Sequence, residues 1–238
     1  MVAAGHLDAA ARRPRAASVR GCAFAWARHV VDCLATHPSQ ILPRVLGEFS
    51  DRWTAVRIQI EVGSAQKLAQ DILDSKLHAA VGPNERPING LEFVPLYQEQ
   101  HQLYCGVEHP LFAASTGHSD LGQLAKYPFV ARGYMYEKDI ERVKAVNVRA
   151  VVDSLEAMAI LLLSGRFIGF LPAHFAQQWV DCERLRPILS DKLAYVSNHA
   201  LITKKSESKK SPVLRAFARD LKAAIHRDDL EVTARSNL

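Results

Sequence analysis

The sequence has few cysteines and no long apolar run. Cys22, Cys33, Cys105 and Cys182 show no pair at the spacing of a zinc site or a redox motif, so neither a metal centre nor a disulfide framework is indicated. The densest apolar stretch, Ala157–Leu163, is far shorter than the roughly 20 residues that a membrane-spanning helix needs. These absences favour a soluble protein in a reducing, cytoplasmic compartment.

The common catalytic and nucleotide-binding motifs are also missing. The chain contains no G-x-S-x-G, no G-x-x-x-x-G-K-[ST], no G-x-G-x-x-G and no H-E-x-x-H. Ten histidines are spread along the chain, and a histidine without partners is more often structural than catalytic. We therefore expect no catalysis, no cofactor and no metal, with an active site of dispersed residues left open as the alternative.

The basic residues are concentrated at the two ends of the chain. Residues 1–31 hold five arginines against one acid, and residues 199–238 hold nine lysines or arginines against five acids, so each end carries +4 and the middle carries −3. A surface for nucleic acid normally places its cations on the folded body. We therefore interpret the basic ends as solvated tails, and an export signal in residues 1–28 is the alternative for the first of them.

From about residue 30 onward, predicted strands and helices alternate. Val56–Val62 alternates apolar and polar residues, as a strand with one buried face does, and Pro38–Trp53 and Ala65–Ser75 carry aliphatic residues at helical spacing. This order is typical of a parallel sheet covered by helices. A second α/β run follows the turn at residues 108–110, so we expect two lobes with a ligand-binding cleft between them.

The chain is expected to cross between these lobes twice, near Cys105–Gly106 and Ser197–Asn198. The final predicted element is an amphipathic helix, Pro212–Ile225. The strands predicted on either side of the crossings are Leu91–Leu96, His101–Val107, Leu193–Val196 and His199–Thr203.

Small polar residues stand at several predicted helix starts. Thr36 and Ser39 precede the first helix, Ser64 follows the second strand, and Ser154 opens an apolar helix. A hydroxyl in such a place caps the helix by accepting from a free backbone N–H, and the same helix end can hold a carboxylate or phosphate. Capping alone explains a hydroxyl residue at any one of these helix starts. Three such helix starts facing one cleft would favour a binding site.

Seven short segments and the final helix occur in a recognisable order. The segments are Leu34–Leu46, Val56–Ser64, His78–Gly82, Gly90–Leu96, His109–Leu111, Leu124–Phe129, Ser164–Pro172 and, in the last helix, Leu214–Leu221. In this order they resemble the effector-binding domain of LysR-type transcriptional regulators, over roughly residues 30–226.

The resemblance implies an α/β fold of the periplasmic-binding-protein-like type 2 class, with two Rossmann-like subdomains and an inter-lobe ligand cleft. Subdomain I would hold residues 30–105 and 198–226, and subdomain II residues 106–197. Residues 1–29 would be a poorly ordered or unrelated N-terminal segment, and residues 227–238 a C-terminal tail. The resemblance also implies a homodimer or higher oligomer, and a small organic effector that is often a carboxylate.

The family pattern further implies which residues contact the effector. Arg132 is the natural cationic partner for an acidic effector, because its planar guanidinium can hold a carboxylate through two hydrogen bonds. The implied effector-binding residues are Thr36, His37, Ser64, Arg132, Gly133, Tyr134, Met135, Ser154 and Phe167.

One part of the family pattern has no counterpart here. Members carry an N-terminal winged helix-turn-helix and a linker helix, whereas residues 1–29 hold few periodic aliphatic residues and an Arg-Arg-Pro-Arg tract. We therefore expect DNA contact only through a domain that this sequence does not contain. The predicted function is the effector-sensing regulatory domain of a LysR-type regulator, and the alternative is a stand-alone solute-binding protein of the same fold.

Overall fold

The computed structural model describes residues 29–30, 38–84, 87–113, 121–144, 147–208 and 210–236. Strands and α-helices alternate along these residues, as the sequence pattern predicted. Two short 3-10 helices, Leu121–Lys126 and Gly133–Met135, come before and after β5. The strands are β1 (His29–Val30), β2 (Ile58–Gln59), β3 (Ala79–Pro83), β4 (Leu91–Gly106), β5 (Pro128–Arg132), β6 (Asn147–Val152), β7 (Ile168–Pro172), β8 (Leu185–Ile188) and β9 (Tyr195–Lys204). The helices are α1 (Pro38–Arg52), α2 (Ala65–Leu73), α3 (Pro110–Ala113), α4 (Tyr136–Val143), α5 (Leu155–Leu163), α6 (Ala173–Val180), α7 (Ser190–Leu193), α8 (Lys205–Ser208) and α9 (Pro212–Ser236).

Six of these strands lie side by side in the order β3-β9-β4-β7-β5-β6, and β8 also pairs with β4. Within this mixed sheet, β5 runs parallel to β6 and β7, whereas β4 runs antiparallel to β7, β8 and β9. The unit β5-α4-β6-α5-β7 is therefore the parallel α/β arrangement expected of the second lobe. Strands β1 and β2 form a separate parallel pair.

Apolar side chains are buried in two groups that are separated along the chain. The first group combines α1, α2, β3, α9 and the end of β9, with Phe49, Ile72 and Leu201 among its members. The second group is built from residues 103–195 and includes Phe129 and Leu162. The first group is the core of lobe I and the second is the core of lobe II, so the chain has the two lobes that were predicted.

Strands β4 and β9 carry the chain between the lobes. Leu103 and Cys105 of β4 pack into the core of lobe II. In β9, Tyr195 packs into lobe II and Leu201 into lobe I. The subdomain boundaries given by the sequence stay predictions.

Some predicted elements have different bounds in the structure. Leu91–Leu96 and all of His101–Val107 except Val107 belong to the single strand β4, in which an irregularity between Pro95 and Tyr97 accommodates a proline that cannot donate to the ladder. Of the predicted strand Val56–Val62, only Ile58 and Gln59 pair with another described strand.

The predicted C-terminal tail has a different structure from the one expected, and the predicted N-terminal segment is almost entirely undescribed. Helix α9 does not stop at Ile225 but continues to Ser236, so most of the predicted tail 227–238 is helical. The predicted N-terminal segment lies outside the described residues, apart from His29 in β1.

Candidate functional site

The start of α2 faces the space between the lobes with a capped helix end. Ser64 has an extended backbone, and its hydroxyl accepts a hydrogen bond from the backbone N of Lys67 at 3.4 Å. Leu68 and Ile72 are buried in lobe I and fix the direction of the helix. The first N–H groups of any helix have no partner within it, and the Ser64 hydroxyl retains a proton, so this end can donate to an anion.

Helix α5 begins in the same way in lobe II. Ser154 is extended, and its hydroxyl accepts from the backbone N of Ala157 at 3.1 Å. Leu155, Met158 and Leu162 are buried against the sheet of lobe II. The buried face of α5 thus holds its first turn at the edge of the lobe, as the buried face of α2 does in lobe I.

These two helix starts line one cavity of about 340 Å³, here called the small cavity. Lobe I contributes Val62–Ser64 and lobe II contributes Val152–Ala157. The structure therefore brings together Ser64 and Ser154, two of the residues predicted to bind an effector. The lining also includes the acidic residues Asp153 and Glu156, and among the described residues it contains no lysine, arginine or histidine.

A second cavity of about 780 Å³ is here called the large cavity. It adjoins the small cavity at the start of α2, because Ala65, the residue after Ser64, lines it. Its lobe II wall is the uninterrupted segment Gly133–Lys138, here called the cleft turn, together with Glu141. Gly133, Tyr134 and Met135 thus line this cavity, as their predicted role requires. The lobe I lining consists of Ala65, Gln66, Ala69, Pro83, Pro87, Ile88, Phe93 and Ile202.

The two cavities also meet at Gly133. A Cβ atom on Gly133 would overlap Asp153 Oδ1, so only glycine lets this carboxylate pack against the cleft turn. Asp153 lines the small cavity and Gly133 the large one. The adjoining cavities form one cleft between the lobes, walled by α2, α5 and the cleft turn.

Arg132 does not line this cleft. Its side chain is fully buried, with Nε donating to Asp139 Oδ2 at 3.0 Å and Nη2 donating to Asp139 Oδ1 at 2.6 Å. Nη1 donates to His101 Nδ1 at 2.9 Å, and Nη2 also donates to the hydroxyl of Tyr195. An effector carboxylate would have to displace Asp139, so the direct contact predicted for Arg132 does not fit the observed arrangement.

Arg132 belongs to a buried polar group between the lobes, here called the hinge cluster. His101 Nε2 lies 2.8 Å from Ser197 Oγ and 3.2 Å from Glu99 Oε2. The members of the cluster are Glu99, His101, Arg132, Asp139, Tyr195, Ser197 and His199, all of them buried. The sequence signal for this cluster is the two-residue spacing of Glu99 and His101 and of Ser197 and His199, which lie on β4 and β9 in the structure.

The hydrogen bonds of the hinge cluster define the charge state of His101. Arginine can only donate, so Nδ1 of His101 accepts and its proton is on Nε2, which donates toward Ser197 or Glu99. Burial, followed by the positive charge of Arg132, holds the pKa of His101 well below its usual range. Burial also lowers the pKa of His199 to about 4, so both imidazoles are neutral near pH 7.

The predicted site residues not yet placed are Phe167, Thr36 and His37. Phe167 packs against the core of lobe II and lines neither cavity. Thr36 and His37 lie outside the described residues, and their roles stay predictions.

Neither a metal centre nor a membrane span is found in the described part of the chain. Within it, no group of three or more His, Cys, Asp or Glu side chains is arranged to hold a metal ion. None of the helices described here is both long and apolar enough to cross a membrane.

Comparisons with known proteins match most of the chain. Residues 28–225 match the family model described as the LysR substrate binding domain. The HTH-type transcriptional activator BauR of Pseudomonas aeruginosa is 33% identical over 177 residues, which are 74% of this chain and 58% of BauR. The chain therefore spans less than two thirds of the length of this relative.

Solved structures share the fold at much lower identity. The effector-binding domain of QuiR in complex with shikimate has a TM-score of 0.70 and 14% identity, with 84% of this chain and 97% of that one covered. The bromide-bound regulatory domain of HypT from Salmonella typhimurium has a TM-score of 0.65 and 13% identity, with coverages of 87% and 100%. These likenesses confirm the predicted two-lobed, periplasmic-binding-protein-like type 2 fold.

Proposed function

The chain belongs to the LysR substrate-binding domain family, and on this premise we propose that residues 28–225 sense a small organic effector for a LysR-type transcriptional regulator. The effector would bind in the cleft, and the domain would act as a homodimer or higher oligomer in the cytoplasm. DNA would be contacted through a helix-turn-helix domain that residues 1–29 do not resemble. The alternative of a stand-alone solute-binding protein is less favoured, because the matching relative is a transcriptional activator.

One observation carries this proposal: helix starts from opposite lobes face the same small cavity. A ligand held by Ser64 and Ser154 would contact both lobes simultaneously. It would then bind most tightly to the lobe arrangement that brings the two helix ends together, and so shift the population toward that arrangement. In an oligomer, this shift could be passed to an attached DNA-binding domain.

The lining of the cleft also suggests the charge of the effector. Two helix N-termini favour a carboxylate, since unpaired N–H groups and the helix dipole both attract negative charge. Asp153 and Glu156 line the same cavity and would repel a purely anionic molecule. We therefore propose an organic acid that also carries a cationic or hydrogen-bond-donating group.

The same lining gives no support for catalysis. None of the described residues that line the two cavities is a histidine or a cysteine, so no described imidazole there is placed to activate Ser64 or Ser154. Their hydroxyls accept from backbone N–H groups, as caps do. A binding domain without catalytic activity fits this chemistry better than an enzyme.

A thermal-shift screen of small organic acids tests the proposal. Ligands that raise the Tm of the wild type should raise it less in Ser64→Ala and Ser154→Ala. Ser211→Ala is a matched control, because Ser211 Oγ also accepts from a helix N–H, that of Leu214 at 3.2 Å, but lines neither cavity. Equal ligand-induced shifts in all four proteins would contradict the assignment of the cleft as the effector site.

Acids with and without an amino group on the same carbon skeleton test the proposed charge. The amino acids should give the larger shift in the wild type, and Asp153→Asn should reduce the difference within each pair because it removes one carboxylate from the cavity wall. If the plain acids bind as well as their amino counterparts, the effector is a simple anion.

A further inference from the structure

Arg132 and Asp139 bracket the cleft turn. They are the residues immediately before and after Gly133–Lys138. Their ion pair lies on the buried side of that segment and joins its two ends. Asp139 Oδ2 also lies 3.4 Å from the backbone N of Arg132. Both side chains are fully buried. The ion pair therefore closes the cleft turn into a loop and limits where its residues can lie.

The same guanidinium is bonded to both strands that pass between the lobes. It donates to His101 on β4 and to Tyr195 on β9, and these two residues are opposite each other in the strand register. Tyr195 in turn donates its hydroxyl proton to Asp139 Oδ1 at 2.9 Å. Any displacement of the Arg132–Asp139 pair relative to these strands must lengthen or break several of these bonds.

Tyr134 links Arg132 to the cavity. Its ring centre lies 5.7 Å from the guanidinium carbon of Arg132, a cation–π distance, and Tyr134 lines the large cavity. Burial raises the pKa of Tyr134 to about 12, so the phenol stays protonated. A ligand that pushes on this ring also pushes on the guanidinium behind it.

We propose that Arg132 is a positioning residue for effector binding: it holds the cleft turn in place and couples the position of that turn to strands β4 and β9 without touching the effector. The inference rests on the proposed role of the cleft as the effector site. A ligand that shifts the turn shifts the bonds to His101 and Tyr195, and the arrangement of the lobes responds.

The chemistry of arginine explains why this residue type suits the role. One planar fork reaches Asp139, His101 and Tyr195 in fixed directions, whereas a lysine ammonium is a single point that can neutralise Asp139 without holding all three partners. Arg132→Lys therefore separates the charge of the residue from its positioning role. Tyr195→Phe removes the bond to β9 and keeps the ring that packs on His101 and Phe170.

Amide hydrogen exchange of the ligand-free protein tests the positioning role. Arg132→Lys should speed exchange in residues 133–138 roughly tenfold, together with residues 97–101 and 195–199, while exchange in α9 stays unchanged. Arg186→Lys is the matched control, since Arg186 donates to the carbonyl of Phe112 and stacks on that ring away from the hinge cluster. A uniform rise across all segments, or no rise in the cleft turn, would overturn the proposal.

A double-mutant comparison tests the coupling. Tyr134→Leu removes the cleft-turn ring that lies against the Arg132 guanidinium, and in the wild-type background it should change exchange at residues 97–101 by severalfold. In the Tyr195→Phe background the same substitution should change it less. Equal changes in both backgrounds would mean that the hinge cluster does not transmit the position of the turn.

These measurements need no effector, so they are independent of the proposed function. The acid screen with Ser64→Ala and Ser154→Ala reports whether the cleft binds a ligand at all. If the screen fails but the exchange pattern holds, Arg132 couples the turn to the strands without the proposed effector role. If the screen succeeds but Arg132→Lys leaves both exchange and ligand-induced Tm shifts unchanged, the inference about Arg132 is wrong and the proposed function stands.

Discussion

The lobe cores bury aliphatic and aromatic side chains such as Phe49, Leu162 and Leu201, whereas the hinge cluster buries an ion pair together with histidine, tyrosine and serine. Apolar packing has little directional preference, while buried hydrogen bonds require particular distances and angles. The passage between the lobes is therefore held by the interactions that respond most sharply to a change in geometry. A protein that senses by moving two lobes would gain from this distribution.

The largest expected effect comes from removing one partner of the buried ion pair. Asp139→Leu leaves the guanidinium of Arg132 buried without its carboxylate, and should lower the free energy of unfolding by about 3–5 kcal/mol in urea titrations. The double variant Arg132→Met with Asp139→Leu should recover much of this loss, because it leaves no uncompensated charge. A single-variant loss no larger than that of a surface substitution would show that the pair is not held in a low-dielectric interior.

Truncation of the lobe cores should be costly in a different way. Leu201→Ala in lobe I and Leu162→Ala in lobe II should each lower the free energy of unfolding by about 2–5 kcal/mol, because each removes buried methyl groups and leaves a cavity. Leu121→Ala, at an exposed position, is the control and should stay within about 0.5 kcal/mol of wild type. Neither core variant should speed amide hydrogen exchange selectively in the cleft turn. A selective rise there would show that core packing and the hinge cluster affect the turn in the same way.

Acid sensitivity should come in part from the hinge cluster. Burial lowers the pKa of His199 to about 4 from a usual 6.5, so the unfolded chain binds this proton more readily than the folded protein does. Stability should therefore fall as pH decreases from about 6.5 to 4, by up to about 3 kcal/mol for this group, and be fully present above 6.5. His101, whose pKa is also lowered, acts in the same direction.

Urea titrations between pH 7 and pH 4 measure this dependence. His199→Phe keeps a ring stacked on Tyr97 and should flatten the loss of stability with falling pH. Val196→Ala, at an exposed position in β9, is the control and should leave the slope as in wild type. An unchanged slope in His199→Phe would place the acid sensitivity elsewhere, for example in the carboxylates that titrate over the same range.

The sequence predicted the lobes and one wall of the cleft because these depend on local patterns. Aliphatic spacing located α2 and α5, and a serine before each helix predicted both the caps and their position at one cavity. The single strand β4 was predicted as two, because Pro95 is a local signal for a break that the irregularity in pairing with β9 accommodates.

The role of Arg132 could not be predicted in this way. Its position at the end of β5 is the same whether the side chain points into the cleft or into the interior, and only the tertiary structure brings Asp139, His101 and Tyr195 around it. Charge complementarity alone favoured an acidic effector as its partner. The protein supplies its own carboxylate seven residues later, on α4.

The smallest expected effect tests whether the hinge cluster is cooperative. Ser197→Ala removes the hydroxyl 2.8 Å from His101 Nε2, but the same N–H can turn to Glu99 Oε2 at 3.2 Å, so the loss of stability should be only about 1 kcal/mol. Ser164→Ala, which removes an exposed hydroxyl that donates to the carbonyl of Leu161, is the control and should cost no more than about 0.5 kcal/mol. If Ser197→Ala lowers the free energy of unfolding as much as Asp139→Leu does, the hinge cluster is fully cooperative. Loss of a single neutral hydrogen bond would then disrupt the ion pair two bonds away.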